Sequence, residues 1–206
     1  MADTSEASLT PYEPWLTRWR LTPDGAPFET RFGSCLLPVR WRDEAAMLKI
    51  AGHEEERRGG ALMAWWAGRG AAQVFARQGA AILLERLSGP SSLSALAREG
   101  RDDEATAILC EAAQALHAPR VTPLPRTLVP LQAWFQALAP AAAAHGGAFV
   151  RALAAAEPLL ASPRDIVVLH GDLHHDNVLD DGRGGWRAID PKGLIGERAF
   201  EYANLF

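Results

Sequence analysis

The stretch "VVLHGDLHHDNVL", residues 167–179, sets His170, Asp172, His174, His175, Asp176 and Asn177 in an apolar frame, and Asp190 follows in "AIDPKG". Phosphoryl transfer needs a carboxylate that orients the attacking hydroxyl and accepts its proton. It also needs oxygen ligands for magnesium, which takes carboxylates and amide carbonyls readily. Asp172 and Asn177 on one loop can meet both needs, the first turned to a substrate hydroxyl and the second to a metal. A strand pair formed by "NVLD" and "WRAID" would bring Asp190 alongside, and Gly171 permits a sharp turn just before Asp172. The same stretch carries a rival set, because His170, Asp172, His174 and Asp176 could gather zinc or iron in a hydrolase. Against that, zinc motifs on helices favour three- or four-residue spacing, and only His53, His117 and His145 remain elsewhere.

"HGDLHHDN" together with "IDPKG" resembles the catalytic loop and metal-binding segment of the aminoglycoside phosphotransferases, relatives of the protein kinases. The wider run, residues 167–204, is similar to the branch that includes streptomycin 6-phosphotransferases and hydroxyurea-resistance kinases. The resemblance implies Asp172 as catalytic base, Asn177 and Asp190 as magnesium ligands, and His170 as a prop for the loop. It implies ATP and Mg²⁺ as cofactors and a small cationic aminoglycoside as acceptor. A kinase also needs a strand lysine for the α- and β-phosphates and a helix glutamate to position that lysine. "AAMLKIA" offers Lys49, and "GHEEERR" offers Glu56, with Glu55 as second choice. Backbone groups between Glu85 and Leu87 would meet adenine. The first hairpin has no G-x-G-x-x-G, so phosphate cover is expected from Ser34 and nearby backbone. Lys192, beside the metal segment, is unusual there and is a candidate phosphate contact.

These residues must be positioned by elements that the pattern also predicts. A short helix over residues 11–20 carries Trp15, Leu16 and Trp19 at helical spacing. Five strands and one helix follow up to residue 87, with Gly59 and Gly60 inside that helix implying close packing or irregularity. After the hinge "LSGPSS" come helices over residues 93–100, 102–117, 131–138 and 147–160. Three short strands and a last helix, "GERAFEYANLF", complete the order. The expected fold is α+β, a protein-kinase-like pair of lobes. Residues 1–87 would form a small antiparallel-sheet lobe, and residues 88–206 a mostly helical one. Similar kinases continue past the point where this sequence stops, so a C-terminally truncated chain is expected, and with it the alternative of a non-catalytic nucleotide-binding module. His117 ends a helix, where a cation suits the dipole, and the resemblance implies that it packs beneath the catalytic loop. Glu197, Arg198 and Glu201 fit either a buried ion pair under the metal segment or an acidic wall for a cationic substrate.

The 206 residues are 48% hydrophobic, enough for one large domain or two lobes. A net charge of -4 gives no electrostatic reason to expect a nucleic-acid partner. Only Cys35 and Cys110 are present, which suits a reducing cytosol. No leader pattern opens the chain, and no apolar run reaches membrane-spanning length.

Overall fold

The computed structural model describes residues 8–205; the leader expectation falls largely on residues 1–7, outside them. The first lobe is a sheet with one helix on each face. Its strands are β1 (Thr22–Pro23), β2 (Phe28–Glu29), β3 (Cys35–Trp41), β4 (Glu44–Ile50), β5 (Val74–Gln78) and β6 (Ala81–Glu85). They run antiparallel in the order β1-β3-β4-β6-β5, with β2 also on β3. The expected five strands become six because Thr22 and Pro23, inside a Pro/Gly-rich break, still pair with Arg40 and Val39. A pairing of two residues leaves no period for a sequence pattern to show. The β3–β4 turn places Arg42 and Asp43 at φ 49° and 67°, the double positive-φ turn that matches strand twist.

Period-two alternation divides the sheet's residues. Leu37, Val39, Ala46, Leu48, Ala81 and Leu83 form one buried cluster under Tyr12, Trp15, Leu16 and Trp19 of helix α1 (Glu13–Trp19) and its N-terminus. The Tyr12 hydroxyl donates to the Leu36 carbonyl at 3.0 Å, anchoring the helix to the sheet. The register sets Lys49 opposite Leu36 and Ile82, on the other face. There α2 (Glu54–Trp66) packs, burying Gly59, Gly60, Leu62, Met63 and Trp66.

Leu62, Met63 and Trp66 share one core with Leu109, Ala113 and Leu116 of the helix over Asp102–His117 and with Leu173 and Val178. Helix α2 is thus bonded by burial to both lobes. The second lobe holds α3 (Leu93–Arg98), α4 (Asp102–His117), α5 (Leu131–Trp134), α6 (Leu138–His145) and α7 (Gly147–Ala161). Helix α6 was not expected, since "LAPAAAAH" has no apolar stripe and contains a proline. Pro140 sits in its first turn, where the missing N–H costs no helical bond. Two small sheets carry the site segments: β7 (Val129–Pro130), β11 (Leu194–Glu197) and β8 (Ile166–Leu169) in one, β9 (Val178–Asp180) and β10 (Trp186–Ala188) in the other. The segment expected to start the last helix is instead strand β11, paired with β8, before a 3₁₀ helix over Arg198–Leu205. Both cysteines are free, and no helix among the described residues is long and apolar enough to cross a membrane.

Candidate active site

A cavity of about 480 Å³ opens between the first sheet, α2 and the loop after β8; Lys49, Glu56, Asp172, Asn177, Asp190 and Lys192 line it. Strand alternation turns Lys49 inward, where it is only 6% exposed. Its ammonium lies 2.7 Å from Asp190 Oδ1 and 3.8 Å from Glu56 Oε2. The helical step separates the two glutamates. Glu56 faces Lys49, while Glu55 reaches Lys192 Nζ at 2.8 Å. Lys192 Nζ also lies 3.4 Å from Asp172 Oδ2. Burial pulls the Lys192 pKa down, but the hydrogen bond and charge of Glu55 and the charge of Asp172 outweigh it and leave it raised.

The loop is held from beneath. His170 is fully buried, stacked on Trp66 with ring planes 17° apart. Its Nε2 is 2.7 Å from the Ile189 carbonyl, and its Nδ1 accepts from the Asp172 N–H at 3.3 Å. That pairing fits the neutral ring protonated at Nε2, and burial pushes its pKa down despite the neighbouring Glu201 charge. Gly171 turns at φ 81°, and a Cβ there would meet the Leu194 side chain. Asn177 Nδ2 donates to the Asp172 carbonyl at 2.9 Å, and the Ile189 N–H donates to the Asn177 carbonyl at 2.9 Å. Pairing of β9 with β10 therefore seats Asn177 and the segment leading to Asp190 side by side. Asp190 has φ 57°, a left-handed conformation uncommon outside glycine and concentrated at functional sites.

Glu201 lies under the same turn with no exposure. It accepts from the N–H groups of His170 at 2.6 Å and Gly171 at 2.9 Å, and its Oε2 is 3.2 Å from His117 Nε2. Burial pushes its carboxyl up, but the hydrogen bond from His117 and the two backbone donors more than offset this, leaving it low. Between the two roles open to it in sequence, the structure places Glu201 in the buried support. Glu197 instead accepts from the Arg164 N–H at 2.6 Å, and Arg198 pairs with Asp165 at 2.5 Å, both toward solvent.

Ser34, Glu85 and Leu87 are not among the residues that line the cavity, although Leu84, next to the backbone expected to meet adenine, is. Ser34 is fully buried, and its hydroxyl accepts from the Gly52 N–H at 3.1 Å, tying the β2–β3 loop to the end of β4. Arg31 and Phe32 of that loop line the cavity instead. Glu85 donates its N–H to the Gln73 carbonyl at 2.9 Å and gives its carboxylate to Arg183 at 2.7 Å. Leu87 packs against the helical core. Sequence reasoning also missed the Glu55–Lys192 link. The signal was present as two successive glutamates on a helix and a lysine beside a metal segment, but only the fold shows which acid faces which lysine. Gly59 is explained by close packing, since a Cβ there would collide with the Pro191 carbonyl.

The donor set fits magnesium. The Asn177 amide, committed through its Nδ2, leaves Oδ1 free to face a cation, and Asp190 adds a carboxylate. Magnesium needs few protein oxygens when phosphates and water complete its octahedron. The zinc or iron alternative fits poorly. Both ring nitrogens of His170 are engaged, His174 Nδ1 accepts from the Asp176 N–H at 3.2 Å, and no group of three or more His, Cys, Asp or Glu among the described residues could hold a metal.

Residues 18–206 match the family model described as aminoglycoside/hydroxyurea antibiotic resistance kinase. The chain is 53% identical over 191 residues to a streptomycin 3''-kinase of Klebsiella pneumoniae, covering 93% of this chain and 71% of that protein. It is 30% identical to a streptomycin 6-kinase of Streptomyces griseus and 34% identical to a hydroxyurea phosphotransferase of Kitasatospora aureofaciens, spanning 62% and 57% of their lengths and 89% and 91% of its own. Among solved structures, a thermostable aminoglycoside phosphotransferase APH(4)-Ia variant in complex with AMP-PNP and hygromycin B superposes with a TM-score of 0.70 at 14% identity, covering 96% of this chain and 76% of that one. The streptomycin–ATP–APH(2'')-IIa ternary complex gives 0.64 at 10% identity, covering 100% and 76%. At such identities the structural likeness shows the two-lobed kinase-like fold alone. With the sequence match over nearly its whole length, the chain belongs to the aminoglycoside/hydroxyurea antibiotic resistance kinase family.

Proposed function

We propose that the chain transfers the terminal phosphoryl group of ATP to a hydroxyl of an aminoglycoside, with streptomycin as the acceptor, and so confers antibiotic resistance. One observation carries this most: Lys49 of the sheet, Glu56 of α2 and Asp190 of the second lobe meet within 4 Å, on a cavity that Asp172 also lines. Residues 1–87 and 88–206 act as the two lobes around it. In this assignment Lys49 holds the α- and β-phosphates, kept in place by Glu56. Asn177 and Asp190 hold Mg²⁺, which when bound neutralises charge on the phosphates. Asp172 orients the acceptor hydroxyl and takes its proton as the hydroxyl oxygen bonds to phosphorus and the bond to ADP breaks. General-base help of this kind is worth about 10²–10⁴-fold. His170 and Glu201 hold the Asp172 backbone still, without touching substrate. The two free cysteines suit a cytosolic place of action. The 53% identical relative favours streptomycin over hydroxyurea as acceptor.

The test is ADP release by the purified chain with Mg·ATP and streptomycin, hydroxyurea or no acceptor, followed by mass spectrometry and phosphorus NMR of the product. Release dependent on streptomycin, with one phosphate added to it, is expected. Nucleotide binding with no product from any acceptor would replace this assignment with a binding module.

A further inference from the structure

The chain contains 21 cationic side chains, of which 19 are arginine and only Lys49 and Lys192 are lysine. Both lysines line the one cavity described above. Their surroundings are parallel. Lys49 lies between Glu56 of α2 and Asp190, and Lys192 between Glu55 of α2 and Asp172. Successive glutamates on one helix thus each hold a lysine against one carboxylate of the second lobe.

Lys192 is fixed before any ligand arrives. Its N–H donates to the His170 carbonyl at 2.7 Å, and its carbonyl accepts from Arg58 Nε at 2.8 Å. The residue is therefore pinned to the catalytic loop on one side and to α2 on the other. Gly193, at φ 73°, leaves no room for a Cβ against the Arg58 side chain. Among the described residues, no other cation lies within ion-pair distance of Asp172. An ammonium has three donors that rotate freely, whereas a guanidinium presents a fixed planar fork. One donor serves Glu55 and one points to Asp172, which leaves a third. A phosphoryl group in position for attack lies within about 3.5 Å of the attacking oxygen. A cation 3.4 Å from the carboxylate that holds that oxygen is within reach of it.

Resting on the kinase assignment above, we propose that Lys192, anchored by Glu55, binds the terminal phosphoryl of ATP during transfer, as a second phosphate lysine beside Lys49. Glu55 is its positioning residue. Lys49 serves the phosphates that stay with ADP, and Lys192 serves the one that leaves, shielding it from the negative charge of Asp172. A compact ammonium suits that place, since a phosphate can replace Asp172 as its partner without moving the backbone.

Two lysines make the test direct. Amine acylation of the folded chain, read by peptide mass spectrometry, reports each separately. Mg·AMP-PNP should protect both lysines, while Mg·ADP should protect Lys49 and leave Lys192 reactive. In parallel, Kd for Mg·AMP-PNP and Mg·ADP is measured by calorimetry on the parent, Lys192→Met, Lys192→Arg and Glu55→Gln, with Tm as a check on folding. Losing one charge-assisted contact should weaken Mg·AMP-PNP about tenfold in Lys192→Met and leave Mg·ADP within about twofold. With streptomycin, kcat should fall on the order of 10²-fold while the streptomycin KM stays nearly constant. Lys192→Arg should recover part of both, and Glu55→Gln should fall between. Equal protection of Lys192 by both nucleotides, or equal affinity losses for both, overturns the proposal while leaving the kinase assignment standing. A parent chain that binds neither nucleotide overturns both.

Discussion

The Lys49 ammonium touches the Asp190 carboxylate at 2.7 Å across 141 residues of sequence, joining the small sheet to the metal segment. Lys49 comes from a strand whose other face is buried under α1, so its direction is fixed by register. Asp190 comes from the end of a two-stranded ribbon and is held in a left-handed conformation. Neither side chain reaches the other unless both lobes are folded and α2 is in place between them.

Replacing Lys49 with Met should therefore act on nucleotide. Mg·ATP affinity should fall by about tenfold or more and kcat on the order of 10²-fold. Calorimetry and steady-state kinetics measure the two, and thermal unfolding checks that the lobes remain joined. The streptomycin KM should change little, since Lys49 is assigned to the phosphates.

Glu201→Gln removes the charge that three donors share under the catalytic loop. Breaking such a buried network costs about 3 kcal/mol, or on the order of 10 °C in Tm for a chain of this size. The pH dependence has a definite sign. His170 has a lowered pKa because burial disfavours its charged form, and Glu201 is lowered on balance by its donors. In both, the folded state binds fewer protons than the unfolded chain, so acid destabilises. Stability should decline as pH falls below the ordinary histidine value of 6.5, and more steeply below the ordinary glutamate value of 4.5. Glu201→Gln should flatten the lower limb. Urea unfolding at a series of pH values reads this out.

Gly59→Ala sets a helix-propensity gain of about 1 kcal/mol against a collision with the Pro191 carbonyl. Backbone cannot give way as a side-chain tip can, so overpacking should win, with net destabilisation of about 1–2 kcal/mol. Because Pro191 follows Asp190, kcat should drop more than stability alone accounts for. The control is Gly79→Ala, where a Cβ would meet nothing within 4 Å and only its φ of 57° opposes the change.

Removing magnesium with a chelator should abolish the thermal stabilisation given by ATP, since the oxygens of Asn177 and Asp190 would then face the phosphates with no metal ion between them. Adding magnesium back should restore it. Differential scanning fluorimetry with ATP, with and without chelator, measures both.

Much of this site was legible because its residues are close in sequence or lie on strongly patterned elements. Asp172 and Asn177 share one loop, and Lys49 stands in an alternating strand. The strands at Thr22–Pro23 and Leu194–Glu197 were not legible, because their pairing partners are remote and their length shows no period. Ser34 was misplaced because a serine beside a glycine reads equally as a phosphate loop or an inward brace. Burial decided for the brace. The buried role of Glu201 depends on β11 and the 3₁₀ turn folding back under Gly171, a long-range contact with no local signature.

The most direct test is whether Asp172 is needed for transfer and not for binding. Asp172→Ala and the parent are compared for Mg·ATP affinity by calorimetry and for phosphate addition to streptomycin by mass spectrometry. The expected result is nucleotide affinity within about threefold of the parent and a rate lowered by at least 10²-fold. Phosphorylation of streptomycin by Asp172→Ala at the parent rate would contradict the assignment of the whole site.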